Sequence, residues 1–160
     1  MTEPSNTDTI VVGVDGSANG RRALVWALDE ARRRNGRCHL VHAVDFGLVA
    51  ASAYAGRAVE ELQEAGAAVL EGELEFARQS GVPVDGELAI RSAAQALIDS
   101  SRDAAMLVVG SRGHGGFVGL MLGSVSSACT HHAACPVVVV PPPERAHAGD
   151  GHAPAGHSVA

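Results

Sequence analysis

Met106-Leu107-Val108-Val109-Gly110-Ser111-Arg112-Gly113-His114-Gly115-Gly116-Phe117-Val118-Gly119-Leu120-Met121-Leu122-Gly123-Ser124-Val125-Ser126 is the stretch on which the fold turns. The run from Met106 to Val109 is apolar and too short for a helix, so it reads as a buried strand. The chain leaves the carboxyl end of that strand, passes through glycines, and enters a short helix at Ser124 that ends near Ala134, before Cys135-Pro136. In open α/β sheets ligands bind at this end of the strands. The first-turn N–H groups of such a helix, those of Ser124, Val125 and Ser126, lack intrahelical acceptors and carry partial positive charge, which suits a phosphate. Upstream glycines let the backbone come close to it, and the hydroxyls of Ser124 and Ser126 add donors. A second reading stands beside this one: a surface loop, with Ser124 acting only as a helix cap.

Outward from this stretch, strands and helices alternate. Thr9 to Val14 is a β-branched and apolar run closed by Asp15-Gly16-Ser17, a strand opening into a turn. Arg21 to Arg34 carries Leu24, Ala27, Leu28 and Ala31 at helical spacing, and Asn35-Gly36 stops it. Cys38 to Val44 is a second strand. From about Ala50 to Ser80 an acidic, alanine-rich stretch marked by Val59, Leu62, Val69, Leu70 and Leu74 reads as a surface helix, which Gly66 and Gly72 weaken. Val82 to Ile90 is a third strand with Pro83 at its start. Ser92 caps a short helix to Ser101, and Val137 to Val140 forms the fifth strand. This alternation predicts an α/β fold: an open, mostly parallel five-stranded sheet with helices on both faces.

Composition narrows the function. Apolar residues are 46% of the chain but aromatics only 3%, so the core must be built from Val, Leu, Ile and Ala, as in a covered parallel sheet. The net charge of -6 argues against a nucleic-acid footprint or an anionic-membrane anchor. All 12 basic residues are arginine, which removes any lysine phosphate clamp. Cys38, Cys129 and Cys135 lack metal spacing and read as free thiols in a cytoplasmic protein. The polar, acidic start argues against a signal peptide, and no apolar run approaches a membrane span. We expect a flexible N-terminus over 1–8, one folded domain over 9–140, and a disordered tail over 141–160 whose His147, His152 and His157 lack any hydrophobic pattern.

No dinucleotide fingerprint follows the first strand, and no Gly-Lys-Ser/Thr occurs anywhere. The spacing Gly110-x2-Gly113-x9-Gly123-Ser124, however, resembles the ATP-binding signature of the universal stress protein family. Val108 to Phe117, Leu122 to Ser126 and Cys135-Pro136-Val137 strengthen the likeness, as do Val12-Gly13-Val14-Asp15-Gly16-Ser17 and Trp26-Ala27. It covers residues 9 to 140. The resemblance implies an adenine nucleotide alpha hydrolase-like sheet of order 3-2-1-4-5. It places Val14 and Asp15 beside the adenosine and Ala43 against the adenine. Gly110 and Gly113 then line the ribose and phosphate, and Gly123, Ser124 and Val125 cradle the phosphates. Arg112 and His114 approach the phosphate tail. It also implies a homodimer through Val137 to Val140, an exposed apolar edge that a second copy would cover. Two departures stand out: Arg91 where the family often has glycine, which bears on the pocket rim, and Ala105 where it commonly has an acid.

Catalysis is less well supplied than binding. Phosphoryl transfer needs a metal, a positioned acceptor and cations against the developing charge. Asp15 is the evident candidate for a metal-side carboxylate, for Mg accompanying ATP. It also suits a turn in which its carboxylate bonds its own backbone, and the two roles are compatible. His42, between apolar neighbours in a strand, reads as a packed core residue, and Cys129 with His132 as helix filling. The expected function is therefore an ATP-binding stress-response or signalling module with slow or no hydrolysis, serving a protein partner the sequence does not identify. The alternatives are a nucleotide-hydrolysing or nucleotidyl-transferring enzyme on the same fold, and a structural stress protein with a vacant pocket.

Overall fold

The computed structural model describes residues 8–47, 51, 55–113 and 122–143. Within them the order is β1 (Thr9–Gly13), α1 (Ala18–Arg34), β2 (Arg37–Ala43), α2 (Ala55–Arg78), β3 (Val84–Ala89), α3 (Ala93–Ser100), β4 (Met106–Gly110), α4 (Ser124–His132) and β5 (Val137–Val140). A single 3-10 turn, Ser101–Asp103, follows α3. The expected flexible start, the tail from residue 144 and His114 lie outside the described residues.

The five strands form one sheet in the order β3-β2-β1-β4-β5, and every pairing is parallel. Registers such as Ile10 opposite Cys38 and Met106 set like-facing side chains in rows across the sheet. Strand alternation then builds two cores. Ile10, Val12, Leu40 and Val108 face α1 and α2, packing with Leu24 and Leu28. Val11, Val41, Leu107 and Val109 face the other way, toward Ala96, Leu97 and Cys129 of α3 and α4. Burying each such branched side chain contributes about 1.5–3 kcal/mol.

Helix ends follow local chemistry. The Ser17 hydroxyl accepts from the Gly20 N–H at 3.0 Å, so α1 begins at Ala18, three residues before the start expected at Arg21. Asn35 closes it in the left-handed conformation at φ 54°. The Ser92 hydroxyl accepts from the Gln95 N–H and caps α3 as expected. Helix α2 is unbroken despite its glycines. At Gly66 a Cβ would stand 2.5 Å from Val44 Cγ2 and 3.1 Å from Leu88 Cδ1, so the missing side chain lets the helix lie close on the sheet. Helices α1 and α2 are joined by a bidentate pair, Arg21 Nε to Glu73 Oε2 at 2.7 Å and Nη2 to Oε1 at 3.1 Å, with the guanidinium over the Phe76 ring.

Candidate functional site

At the carboxyl ends of β1 and β4, where the strand order reverses, the sheet opens into a cleft of about 690 Å³. That volume is within the range of small-ligand pockets. Three segments build it. The first is the β1–α1 turn, with Val14, Asp15 and Gly20. The second is the end of β2, with His42 and Ala43. The third is the β4–α4 connection and the first turn of α4, with Gly110, Arg112, Gly113, Gly123, Ser124, Val125 and Ser126. Ten of the eleven residues expected from the sequence thus line one cleft, and the eleventh, His114, lies outside the described residues. Leu97, Val41 and Val109 give it an apolar floor, while Asp15 and Arg112 are its ionised side chains.

The β1–α1 turn is tightly held. Asp15 Oδ1 accepts from the Ser17 N–H at 3.0 Å and from its hydroxyl at 2.5 Å, the local turn bonding expected of an aspartate there. Gly16 stands at φ +76°, which a side chain would strain. At the far wall, Ser127 N–H reaching Gly123 O is the first intrahelical bond of α4, so the N–H groups of Ser124, Val125 and Ser126 have no acceptor within the helix. The Ser126 hydroxyl does not add a free donor. It is buried and donates to Ser111 O at 2.9 Å, so Ser126 can serve a ligand only through its backbone.

The cap of α4 is Gly123 at φ −75° and ψ 172°, a conformation open to any residue. Among the described residues, a Cβ there would meet nothing nearer than Ser111 O at 3.5 Å. Gly110 and Gly113 differ. A Cβ at Gly110 would lie 2.9 Å from Asn19 Nδ2, and one at Gly113 would lie 2.6 Å from Asp15 Oδ2.

Two participants escape sequence reading. The His42 ring Nδ1 bonds Val14 O at 2.8 Å, so this core histidine steadies the turn while lining the cleft. Asn19 Nδ2 donates to Arg112 O at 2.8 Å across 93 residues of chain. Arg91 does not line the cleft; it stands 3.7 Å from Glu87 and Asp99. Cys129 is buried, and its thiol is pushed up to about 11 by burial and by Cys135, which favours the unreactive thiol over a nucleophile. Among the described residues no group of three or more His, Cys, Asp or Glu could hold a metal ion, and no helix is long and apolar enough to cross a membrane.

An open parallel sheet with its cleft at the reversal of strand order defines a doubly wound α/β domain. The chain belongs to the universal stress protein family, whose model matches residues 6–141. A universal stress protein of Mycolicibacterium smegmatis is 34% identical over 153 residues, covering 88% of this chain and 50% of that protein. One from Mycobacterium tuberculosis is 39% identical over 132 residues, covering 81% and 44%. The chain spans about half the length of the curated relatives it matches. A solved universal stress protein described in complex with cAMP superposes with a TM-score of 0.65 at 25% identity, covering 82% of this chain and 95% of that one.

Proposed function

We propose that the cleft binds ATP and that the protein is a nucleotide-dependent stress-response module with slow or no hydrolysis. Gly123 carries this reading. Neither its backbone angles nor its neighbours among the described residues require a glycine, so the missing side chain suits something that enters the cleft. A phosphate against the free N–H groups of Ser124, Val125 and Ser126 fits that space and charge. The base would lie toward Ala43 and the apolar floor, with Arg112 on the phosphate side. The likeness to a protein described with cAMP supports an adenine nucleotide.

Asp15 is the carboxylate lining the cleft, which matches the way Mg is held by one carboxylate together with a ligand's own phosphates. Such an ion would neutralise phosphate charge. Transfer chemistry would also need a positioned acceptor and a base, and the His42 ring Nδ1 is already engaged by Val14 O, which is why binding is favoured over turnover. The test is mass spectrometry of nucleotide released on denaturing freshly purified protein, with calorimetric ATP titration and a phosphate-release assay. The absence of both released adenine nucleotide and a heat of ATP binding would refute the reading, and rapid phosphate release would make the protein an enzyme.

We propose further that β5 joins two copies in a cytoplasmic homodimer. Pro136 O and Val140 O accept from β4, so by strand alternation Val137 and Val139 turn their backbone groups to the open edge. Val139→Pro removes one of those outward donors and is expected to give monomers in light scattering with ATP binding retained. A dimer that survives it does not use this edge.

A further inference from the structure

Asn19 lies on the first turn of α1, outside the glycine signature, yet its side chain reaches Ser111 and Arg112 beyond the end of β4. Its amide donates to Arg112 O at 2.8 Å and stands 3.4 Å from Ser111 Oγ. Ser111 in turn holds the start of α4. Its carbonyl accepts from the Gly123 N–H at 2.7 Å and from the Ser126 hydroxyl at 2.9 Å. A continuous chain of short contacts therefore runs from α1, through the Ser111–Arg112 backbone, to the N–H groups proposed to meet phosphate.

The glycines fit around this chain. A side chain at Gly110 would collide with the Asn19 amide, and one at Gly113 with the Asp15 carboxylate. The first two glycines of the signature thus make room for the opposite wall of the cleft, whereas Gly123 makes room for a ligand. Asn19 Oδ1 and Arg112 Nε, both shielded from solvent, have no hydrogen-bond partner among the described residues. Buried polar atoms left in this way are costly, and they persist where a structure serves something besides stability.

We propose that Asn19 is a positioning residue that latches the β1–α1 turn to the β4–α4 loop and so sets the phosphate cradle. The proposal rests on the nucleotide reading above. The latch holds Arg112 O and, through Ser111, the amides of α4; it does not touch the apolar floor where a base would lie. Its loss should therefore weaken the phosphate-dependent part of affinity and leave the nucleoside-dependent part in place.

The test is Asn19→Ala, titrated with ATP and separately with adenosine, with amide hydrogen exchange of residues 110–113 followed without nucleotide. Losing one neutral hydrogen bond should cost ATP affinity about five- to tenfold. Adenosine affinity should change less than twofold, the melting temperature should stay near wild type, and exchange at Arg112 and Gly113 should quicken. Gly110→Ala should harm ATP binding less in the Asn19→Ala background than alone, because the amide it would strike is gone. Unchanged exchange and unchanged ATP affinity would overturn the latch. Equal losses for ATP and adenosine with a lowered melting temperature would make Asn19 a structural residue only, which also overturns it. If wild-type protein binds neither ligand, the nucleotide reading fails, and the exchange experiment alone still decides whether the two walls are latched.

Discussion

The two faces of the sheet are built to different ends. One is covered by α1 and α2, of 17 and 24 residues, whose fully buried Leu24, Ala27 and Ala31 seal the strands along their length. The other is covered by α3 and α4, of 8 and 9 residues, whose first turns, at Ala93 and at Ser124 to Ser127, line the cleft. The cleft takes its floor from the second face: Val41, Ala43, Leu97 and Val109 all belong to that core. Long helices seal the sheet on one side, and short ones frame the cleft on the other.

Leu24→Ala probes the sealed face and should have the largest effect. Leu24 is fully buried between α1 and the sheet, so truncation should destabilise by about 2–5 kcal/mol in urea unfolding. At a temperature where the variant is folded, ATP affinity should be close to wild type. A matching loss of affinity would show that the two faces do not divide stability from binding.

Gly123→Val probes the open face. The backbone there suits a branched residue and a Cβ has room, so melting should move by only a few degrees. ATP affinity should fall by at least about a hundredfold, near 2.7 kcal/mol, because the side chain fills the phosphate's place. Wild-type affinity in calorimetry would remove Gly123 from the site.

The same contrast explains what could be read from the sequence. The sheet was legible because β1, β4 and β5 are short apolar runs closed by Gly or Pro, and because the glycine signature fixes which end of β4 is open. The ten cleft residues were legible because they sit in two short segments and one strand end with recognisable wording. The start of α1 was not. Ala18, Asn19 and Gly20 carry no apolar periodicity, and the Ser17 cap lacks the Glu or Gln three residues on that would have announced it. Asn19 and His42 act through backbone carbonyls 93 and 28 residues away, and no local pattern encodes such partners. The Ser126 hydroxyl looked like a ligand donor because its acceptor, Ser111 O, is reached only once the loop has folded back.

Ser92→Ala tests how little holds the short-helix face. The hydroxyl caps α3 at 3.3 Å, and its loss should cost about 1 kcal/mol. Because Ala93 and Leu97 of that helix line the cleft, ATP affinity should fall a few-fold as well. A cap variant of equal stability cost that left affinity untouched would mean that α3 frays without reaching the ligand.

The smallest expected effect compares one buried thiol from each face. Burial pushes Cys38, under α1 and α2, up to about 12, and Cys129, under α4, up to about 11. In the unfolded chain both would titrate near the ordinary 9.0. As pH rises past that value the unfolded state loses protons first, so stability that is fully present below 9.0 declines until the folded thiols ionise. Between pH 8 and 9.5 each thiol should account for roughly 0.8 kcal/mol of lost stability. Cys38→Ala and Cys129→Ala should therefore flatten the alkaline slope of urea unfolding by equal amounts, whatever their own packing costs. The two folded values differ only above this range, so the faces should be indistinguishable within it. A weaker flattening for Cys129→Ala would mean that water reaches that thiol in the folded state, and that the short-helix face opens below the cleft as well as at it.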